Sequence, residues 1–313
     1  LTDVLLTGAN GQLGWEVARR AADAGLSCHA VDRGALDITN ADAVTRTIAD
    51  LRPAVVINAA AYTAVDRAES DEATAFAVNR DGPTYLAEAC AAGGITLVHV
   101  STDYVFDGTT QSAYTEEDPV VPLGVYGASK LAGEEAVRRL CPRHIILRTA
   151  WVYGIHGQNF VKTMLRIARE RDTVRVVDDQ RGCPTFAGDL ADAILELAVR
   201  VRDGRMADKG LGTFHCVNQG ATTWHGFARK IFEIAALVLE RKPTVEAITT
   251  AEYRTPARRP ANSVLDCSRL SRVHGLTLRP WEAALAEMLG AVMAGEDKAT
   301  NLEALVAEKE GGS

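Results

Sequence analysis

Short apolar runs of β-type residues alternate with longer helical stretches in the first half of this chain, and no other feature restricts its fold as strongly. Val4–Leu6, Cys28–Val31, Val55–Asn58 and Thr96–Val100 read as strands. Between and after them, helices are expected from about Gly11 to Ala24, near Asp42–Leu51, from about Thr74 to Ala92 and over Tyr126–Leu140. Strands separated by helices cannot close tight hairpins. They form βαβ units, hence a parallel sheet covered on both faces. Ile145–Leu147 adds a further parallel strand.

After about residue 150 the pattern loosens. Helices are expected at Phe160–Glu170, Leu190–Val199, Trp224–Leu239 and Trp281–Met293, joined by loops rich in Gly, Pro and Arg. With 313 residues, the chain has room for one large domain or two moderate ones. The expected fold is α/β: a Rossmann-like doubly wound parallel sheet over 1–150, then a smaller, mostly C-terminal α/β substrate-binding domain over 151–295. Strand or helix material is expected to return to the first sheet from about 173–200, after Arg175–Asp179. The polar tail, 296–313, is expected to fray.

The first strand runs into Thr7-Gly8-Ala9-Asn10-Gly11-Gln12-Leu13-Gly14. Glycines let the backbone turn sharply and approach a pyrophosphate, which then rests on the unpaired N–H groups of a helix N-terminus. The spacing is G-x-x-G-x-x-G, one residue wider than the commonest dinucleotide fingerprint; a glycine-rich turn with no ligand is the alternative. Asp32, at the end of the second strand, is placed to accept from a ribose 2′-OH. Asp37-Ile38-Thr39 could flank an adenine, or Asp37 could cap a helix. Asp32 favours NADH while Arg33 tolerates the 2′-phosphate of NADPH, so use of both is expected. Asn58-Ala59-Ala60-Ala61-Tyr62-Thr63 closes the third strand with small residues, which suits either a dinucleotide or tight helix–sheet packing. Val100, at the end of the fourth strand, completes the expected cofactor-binding set together with Tyr126 and Lys130.

A formal charge of −7 argues against a nucleic-acid or polybasic membrane surface. Cys28, Cys90, Cys141, Cys183, Cys216 and Cys267 show neither zinc nor redox spacing, which points to a reducing, cytoplasmic setting. The chain opens at once into a strand-like segment, so neither a signal peptide nor a membrane span is expected. His99 lies within an apolar strand and reads as a hydrogen-bonded core residue; Trp224 and Trp281 read as core aromatics.

Tyr126-Gly-Ala-Ser-Lys130 places a phenol and an ammonium four residues apart, on one face of a helix. A neighbouring cation favours the phenolate, which would bring a tyrosine closer to neutrality as an acid or base. Ser101-Thr102-Asp103 ends the strand before that helix.

Together, G-x-x-G-x-x-G, Asn58-Ala-Ala-Ala61, Ser101-Thr-Asp103 and Tyr126-x-x-x-Lys130 resemble the extended short-chain dehydrogenase/reductase superfamily. Ala60–Glu69, Ser101–Gly108, Arg148–Tyr153, Asp179–Thr185 and Thr255–Pro260 narrow the resemblance to dTDP-4-dehydrorhamnose reductases. The resemblance implies reduction of the C4 keto group of dTDP-4-dehydro-6-deoxy-L-mannose by hydride from NADPH or NADH. Tyr126 would then supply the proton, Thr102 would hydrogen-bond the same oxygen, and Lys130 would hold the nicotinamide ribose and lower the Tyr126 pKa. Thr102, Asp103, Tyr104 and Trp151 would line the sugar pocket. Arg258 and Arg259 are candidates for the diphosphate, or else form a basic loop or a structural ion pair.

Some members of that family dimerise through a magnesium ion held by three glutamates. Here Glu16 matches the first position, Gly188-Asp189 stands at the second, and no carboxylate stands near Ala291. No such metal is expected, and the chain should be a monomer. A 4,6-dehydratase would need a glutamate where Tyr104 follows Asp103. A related sugar-nucleotide epimerase is a further alternative. So is a dinucleotide-binding regulatory subunit resembling that of methionine adenosyltransferase.

Overall fold

The protein is described here by a computed structural model that covers residues 2–236 and 243–295. The expected fraying of 296–313, and the expected end of a helix at Leu239, lie outside those residues. Five strands come from the first half: β1 (Val4–Thr7), β2 (Cys28–Val31), β3 (Val55–Asn58), β4 (Thr96–Thr102) and β5 (His144–Thr149). The sixth is Gly212–His215, which the sequence reading passed over. The order across the sheet is Gly212–His215, β5, β4, β3, β1, β2, with every neighbouring pair parallel.

Alternation along each strand divides the core between the two faces. Val4, Leu6, Val55, Ile57, Val98, Ile145 and Leu147 pack with helix α1 (Gln12–Arg20) and with the long helix Ala187–Arg202. Leu5, Val56, Leu97 and Ile146 face the other way, against α2 (Ala41–Leu51), α5 (Gly82–Gly93) and α6 (Val125–Leu140). Two short helices, α3 (Val65–Ala68) and α4 (Glu72–Phe76), precede α5. A π-helical turn, Ala77–Asp81, joins α4 to α5. The single helix expected over Thr74–Ala92 is therefore interrupted by a π turn, a feature that recurs at functional sites.

A separate apolar cluster gathers Tyr153, Val161, Met164, Phe186, Phe227, Phe232, Trp281, Leu285 and Met288. The strand Thr173–Val177 belongs to this part: it pairs with Thr244–Ile248 and not with the six-stranded sheet. What returns to the sheet is the helix Ala187–Arg202 and the strand Gly212–His215. The reason is visible in the burial pattern. Thr173 and Arg175 are exposed while Val174 and Val176 between and after them are covered, as in a sheet with one wet face; a central strand of the main sheet is apolar on both. Among the described residues, no helix is long and apolar enough to cross a membrane.

Candidate active site

The strand order reverses between β1 and β3, and in open parallel sheets ligands sit at that crevice, beyond the C-terminal ends of the strands. Gly8 turns the chain there with φ +79°, and a Cβ on it would lie 2.5 Å from the Ala60 nitrogen. Only glycine lets the two strand ends approach so closely. Asn58, fully buried, shapes the other side. Its Oδ1 accepts from Thr7 Oγ1 at 2.8 Å and from the Ala60 N–H at 3.1 Å.

A cleft of about 580 Å³ opens over this crevice. Gly8, Asn10, Gly11, Asp32, Arg33, Asp37, Ile38, Ala60, Ala61 and Tyr62 line it, all expected from the sequence. Arg67, Asp71 and Thr74 line it too and were not singled out. Asp32 stands one residue beyond β2. Its Oδ2 accepts from Asn10 Nδ2 at 2.8 Å and its Oδ1 from the Ala35 N–H at 3.0 Å. Arg33 is largely exposed and pairs at 3.4 Å with Asp37. The side chains of Gln12 and Leu13 do not reach the cleft. Leu13 is in the core, and Gln12 Oε1 accepts from Asn159 Nδ2 at 3.0 Å. What they could offer a dinucleotide is their backbone N–H at the start of α1.

Tyr126, Lys130 and Glu134 fall at successive four-residue steps along α6, so they share one face. Lys130 is buried and its Nζ donates to the Val100 carbonyl at 2.7 Å. Burial lowers its pKa to about 8, against the opposing pull of Glu134. Glu134 accepts from Ser101 Oγ at 2.6 Å, from Arg148 Nε and Nη2 at 2.9 and 2.7 Å, and from Arg138 Nη1 at 2.9 Å. This buried network bolts α6 to β4 and β5 and so fixes where Tyr126 and Lys130 stand. Asn79, from the π turn, adds a second brace. Its side chain bonds both backbone groups of Tyr62 and donates to Ser129 Oγ of α6 at 3.0 Å. Neither brace was read from the sequence, since buried polar partners so distant along the chain leave no local pattern.

Burial works against the expected lowering of the Tyr126 pKa by Lys130. Burial pushes the Tyr126 phenol up to about 12, with a Thr102 hydrogen bond opposing and the Asp103 charge reinforcing. Lys130 spends its charge on the Val100 carbonyl and is itself weakened by burial. The phenol is therefore protonated at neutral pH, the state a proton donor needs. Thr102 Oγ1 accepts from the Tyr104 N–H at 3.2 Å and donates to Asp103 Oδ1 at 3.0 Å. Asp103 is buried, and that raises its carboxyl to about 6. The Tyr104 ring meets Tyr126 edge-on at 5.5 Å.

Arg258 and Arg259 part company. Arg259 grips Asp66 with two bonds, of 2.8 and 3.0 Å, and holds that carboxyl below its usual range. It is a clasp between the Thr255–Pro260 loop and α3. Arg258 is exposed and, among the described residues, takes part in no ion pair. Trp151 is half-buried and stacks on Trp224. Trp281 is a core aromatic as expected, 4% exposed; Trp224 is half-buried and packs against the edge of the same cluster. His99 is fully buried, with Nδ1 3.1 Å from Asn58 Nδ2.

Glu16 accepts from both Arg19 and Arg20, and Asp189 from Arg279. Among the described residues no three His, Cys, Asp or Glu side chains gather as a metal site.

Residues 2–294 match the family described as the RmlD substrate binding domain. The chain is 46% identical to a dTDP-4-dehydrorhamnose reductase of Aggregatibacter actinomycetemcomitans over 285 residues, covering 90% of this chain and 96% of that protein. Among solved structures, a dTDP-4-dehydrorhamnose reductase from Clostridium acetobutylicum superposes with a TM-score of 0.86 at 40% identity, covering 93% of this chain and 99% of the other. That of Bacillus anthracis, in complex with NADP, gives 0.85 at 37% identity, with coverage of 92% and 99%. A glycine-lined crevice, a Tyr126–Lys130 helix face and likeness along nearly the whole chain agree: this protein belongs to the dTDP-4-dehydrorhamnose reductase family.

Proposed function

We propose that the chain reduces the C4 keto group of dTDP-4-dehydro-6-deoxy-L-mannose to give dTDP-L-rhamnose, with hydride from NADPH or NADH. The observation that carries this reading is the placement of the Tyr126 phenol on the same helix face as Lys130 and beside Thr102, at the end of β4, where Lys130 Nζ is bonded to the Val100 carbonyl. Hydride addition to a ketone builds negative charge on one oxygen, and a positioned O–H donor removes it. The nicotinamide supplies the hydride; the protein supplies orientation and the proton.

Tyr126 is the proton donor in this scheme. Thr102 hydrogen-bonds the same substrate oxygen, and Lys130 holds the nicotinamide ribose. Lys130 does not need to acidify Tyr126, because a nascent alkoxide is basic enough to take a proton from an ordinary phenol. The backbone N–H groups of Gln12 and Leu13 receive the dinucleotide diphosphate, since that of Gly11 already donates to the Gly8 carbonyl at 3.0 Å, and Asp32 receives the adenosine ribose. Both cofactors fit. Asp32 accepts from the ribose of NADH, while exposed Arg33 is free to turn from Asp37 to the extra phosphate of NADPH. Asp103, Tyr104 and Trp151 line the sugar site. Arg258 meets the substrate diphosphate, since Arg259 already carries Asp66. The chain works as a cytoplasmic monomer, its dinucleotide half within 1–150 and its substrate half within 151–295.

Oxidation of NADH and of NADPH, followed with enzymatically prepared dTDP-4-dehydro-6-deoxy-L-mannose, tests the reading. Substrate-dependent oxidation is expected with both. Bound dinucleotide without turnover would point instead to a different keto-sugar or to a regulatory partner.

A further inference from the structure

Two residues other than glycine, among those described, have φ in the left-handed region: Arg52 and Trp151. Arg52 caps the C-terminus of α2, a common place for that conformation. Trp151 caps nothing. It stands at φ +45° between β5 and the short strand Val152–Tyr153. A bulky residue is strained in that conformation, so neighbouring structure must hold it.

Two contacts do so. The Trp151 indole lies on that of Trp224, with centroids 3.6 Å apart and planes at 8°. On another side it crosses Gly182, where a Cβ would lie 2.4 Å from its Cε2 and 2.7 Å from its Nε1. One short antiparallel ladder places both partners. Gly182 is opposite Thr222 and Arg181 opposite Thr223, and Trp224 follows directly as the first residue of the helix Trp224–Ala235. Thr223 Oγ1 caps that helix by accepting from the Gly226 N–H at 3.0 Å, and Phe160 backs Trp224 at 4.7 Å.

We propose that Trp151 and Trp224 act as one two-ring wall of the sugar site, with Trp224 the positioning residue that fixes where Trp151 meets substrate and Gly182 the clearance that admits it. This rests on the reading of Trp151 as a sugar-site residue given above. A stacked partner removes the rotational freedom of the indole before substrate arrives, and preorganisation of this kind appears in affinity.

The test uses the full chain and two perturbations from opposite sides. Trp224→Ala removes the stacked ring. Gly182→Ala intrudes on the indole without backbone strain, since Gly182 is not among the positive-φ glycines. Both should abolish or displace the far-ultraviolet exciton couplet of the stacked indoles. Both should raise KM for the sugar nucleotide on the order of tenfold, with kcat and dinucleotide affinity nearly constant. Trp224→Phe keeps a ring on Trp151, so KM should recover while the indole couplet stays lost. Unchanged KM in Trp224→Ala and Gly182→Ala overturns the proposal, and if Trp224→Ala does not fold, Gly182→Ala decides alone. Trp151→Ala separates the two readings. If it leaves KM unchanged, Trp151 is not a sugar-site residue; if it raises KM while Trp224→Ala does not, only the pairing fails.

Discussion

Replacing Lys130 with methionine should make this protein more stable at neutral pH and nearly inactive. The lysine is buried, its amine bonded to the Val100 carbonyl, and burial takes its pKa from 10.5 to about 8. At about 1.4 kcal/mol per pKa unit, the folded chain carries roughly 3 kcal/mol of unfavourable free energy for keeping that ammonium charged at pH 7. Methionine fills a similar volume without charge, but forfeits a charge-assisted hydrogen bond of about 1.5–3 kcal/mol. The net expectation is a gain of up to about 1.5 kcal/mol for the variant.

The pH dependence gives the argument its sign. With the folded-state pKa below the unfolded one, the unfolded chain binds more protons between about pH 8 and pH 10.5. Wild type therefore gains stability over that window and the variant does not, so the gap between them closes as pH rises. Urea unfolding of both proteins at pH 7 and near pH 10 measures it, with dinucleotide oxidation as the activity readout. Groups common to both proteins cancel in the comparison. A variant less stable than wild type at pH 7, or a gap indifferent to pH, would refute the reasoning.

Tyr126→Phe keeps the edge-on contact with Tyr104 but removes the proton, so kcat should fall by about 10²–10⁴ while fluorescence titration shows dinucleotide affinity little changed. In wild type, kcat/KM should fall on the alkaline side as Lys130 deprotonates near pH 8, well before Tyr126 near 12; a rate flat to pH 10 would remove the charge of Lys130 from the mechanism. Arg258→Ala should raise KM for the sugar nucleotide about tenfold with the urea midpoint unchanged, whereas Arg259→Ala, which opens the clasp on Asp66, should lower the midpoint too. The reverse pattern would move the diphosphate to Arg259. Light scattering should give the mass of one chain with or without a chelator; a two-chain mass that a chelator halves would restore the shared cation.

Local pattern was enough for the strands and the glycine turn of the first half of the molecule. Gly8 has to be a glycine because its backbone is left-handed and pressed against Ala60, and that demand is written at one position of the sequence. The strands β1 to β5 show in runs of apolar residues, and Tyr126 and Lys130 share a helix face because of the helical period alone. What local pattern could not carry were relations between distant residues. Gly212–His215 has Phe214 as its one apolar side chain and so does not stand out from its loops, and only the free edge of β5 makes it a strand. Whether Arg258 or Arg259 meets solvent depends on where Asp66, nearly two hundred residues earlier, comes to lie. The charge states of Tyr126 and Lys130 follow from how deeply the finished fold buries them, and burial here outweighs the attraction that their spacing suggested. Trp224 looked like any aromatic on a helix face until a two-residue ladder set it against Trp151. Sequence by itself determined which backbone shapes and side-chain chemistries were available. Tertiary structure decided which of those groups meet and which keep their charge, because burial and long-range contact are properties of the packed chain and not of any segment of it.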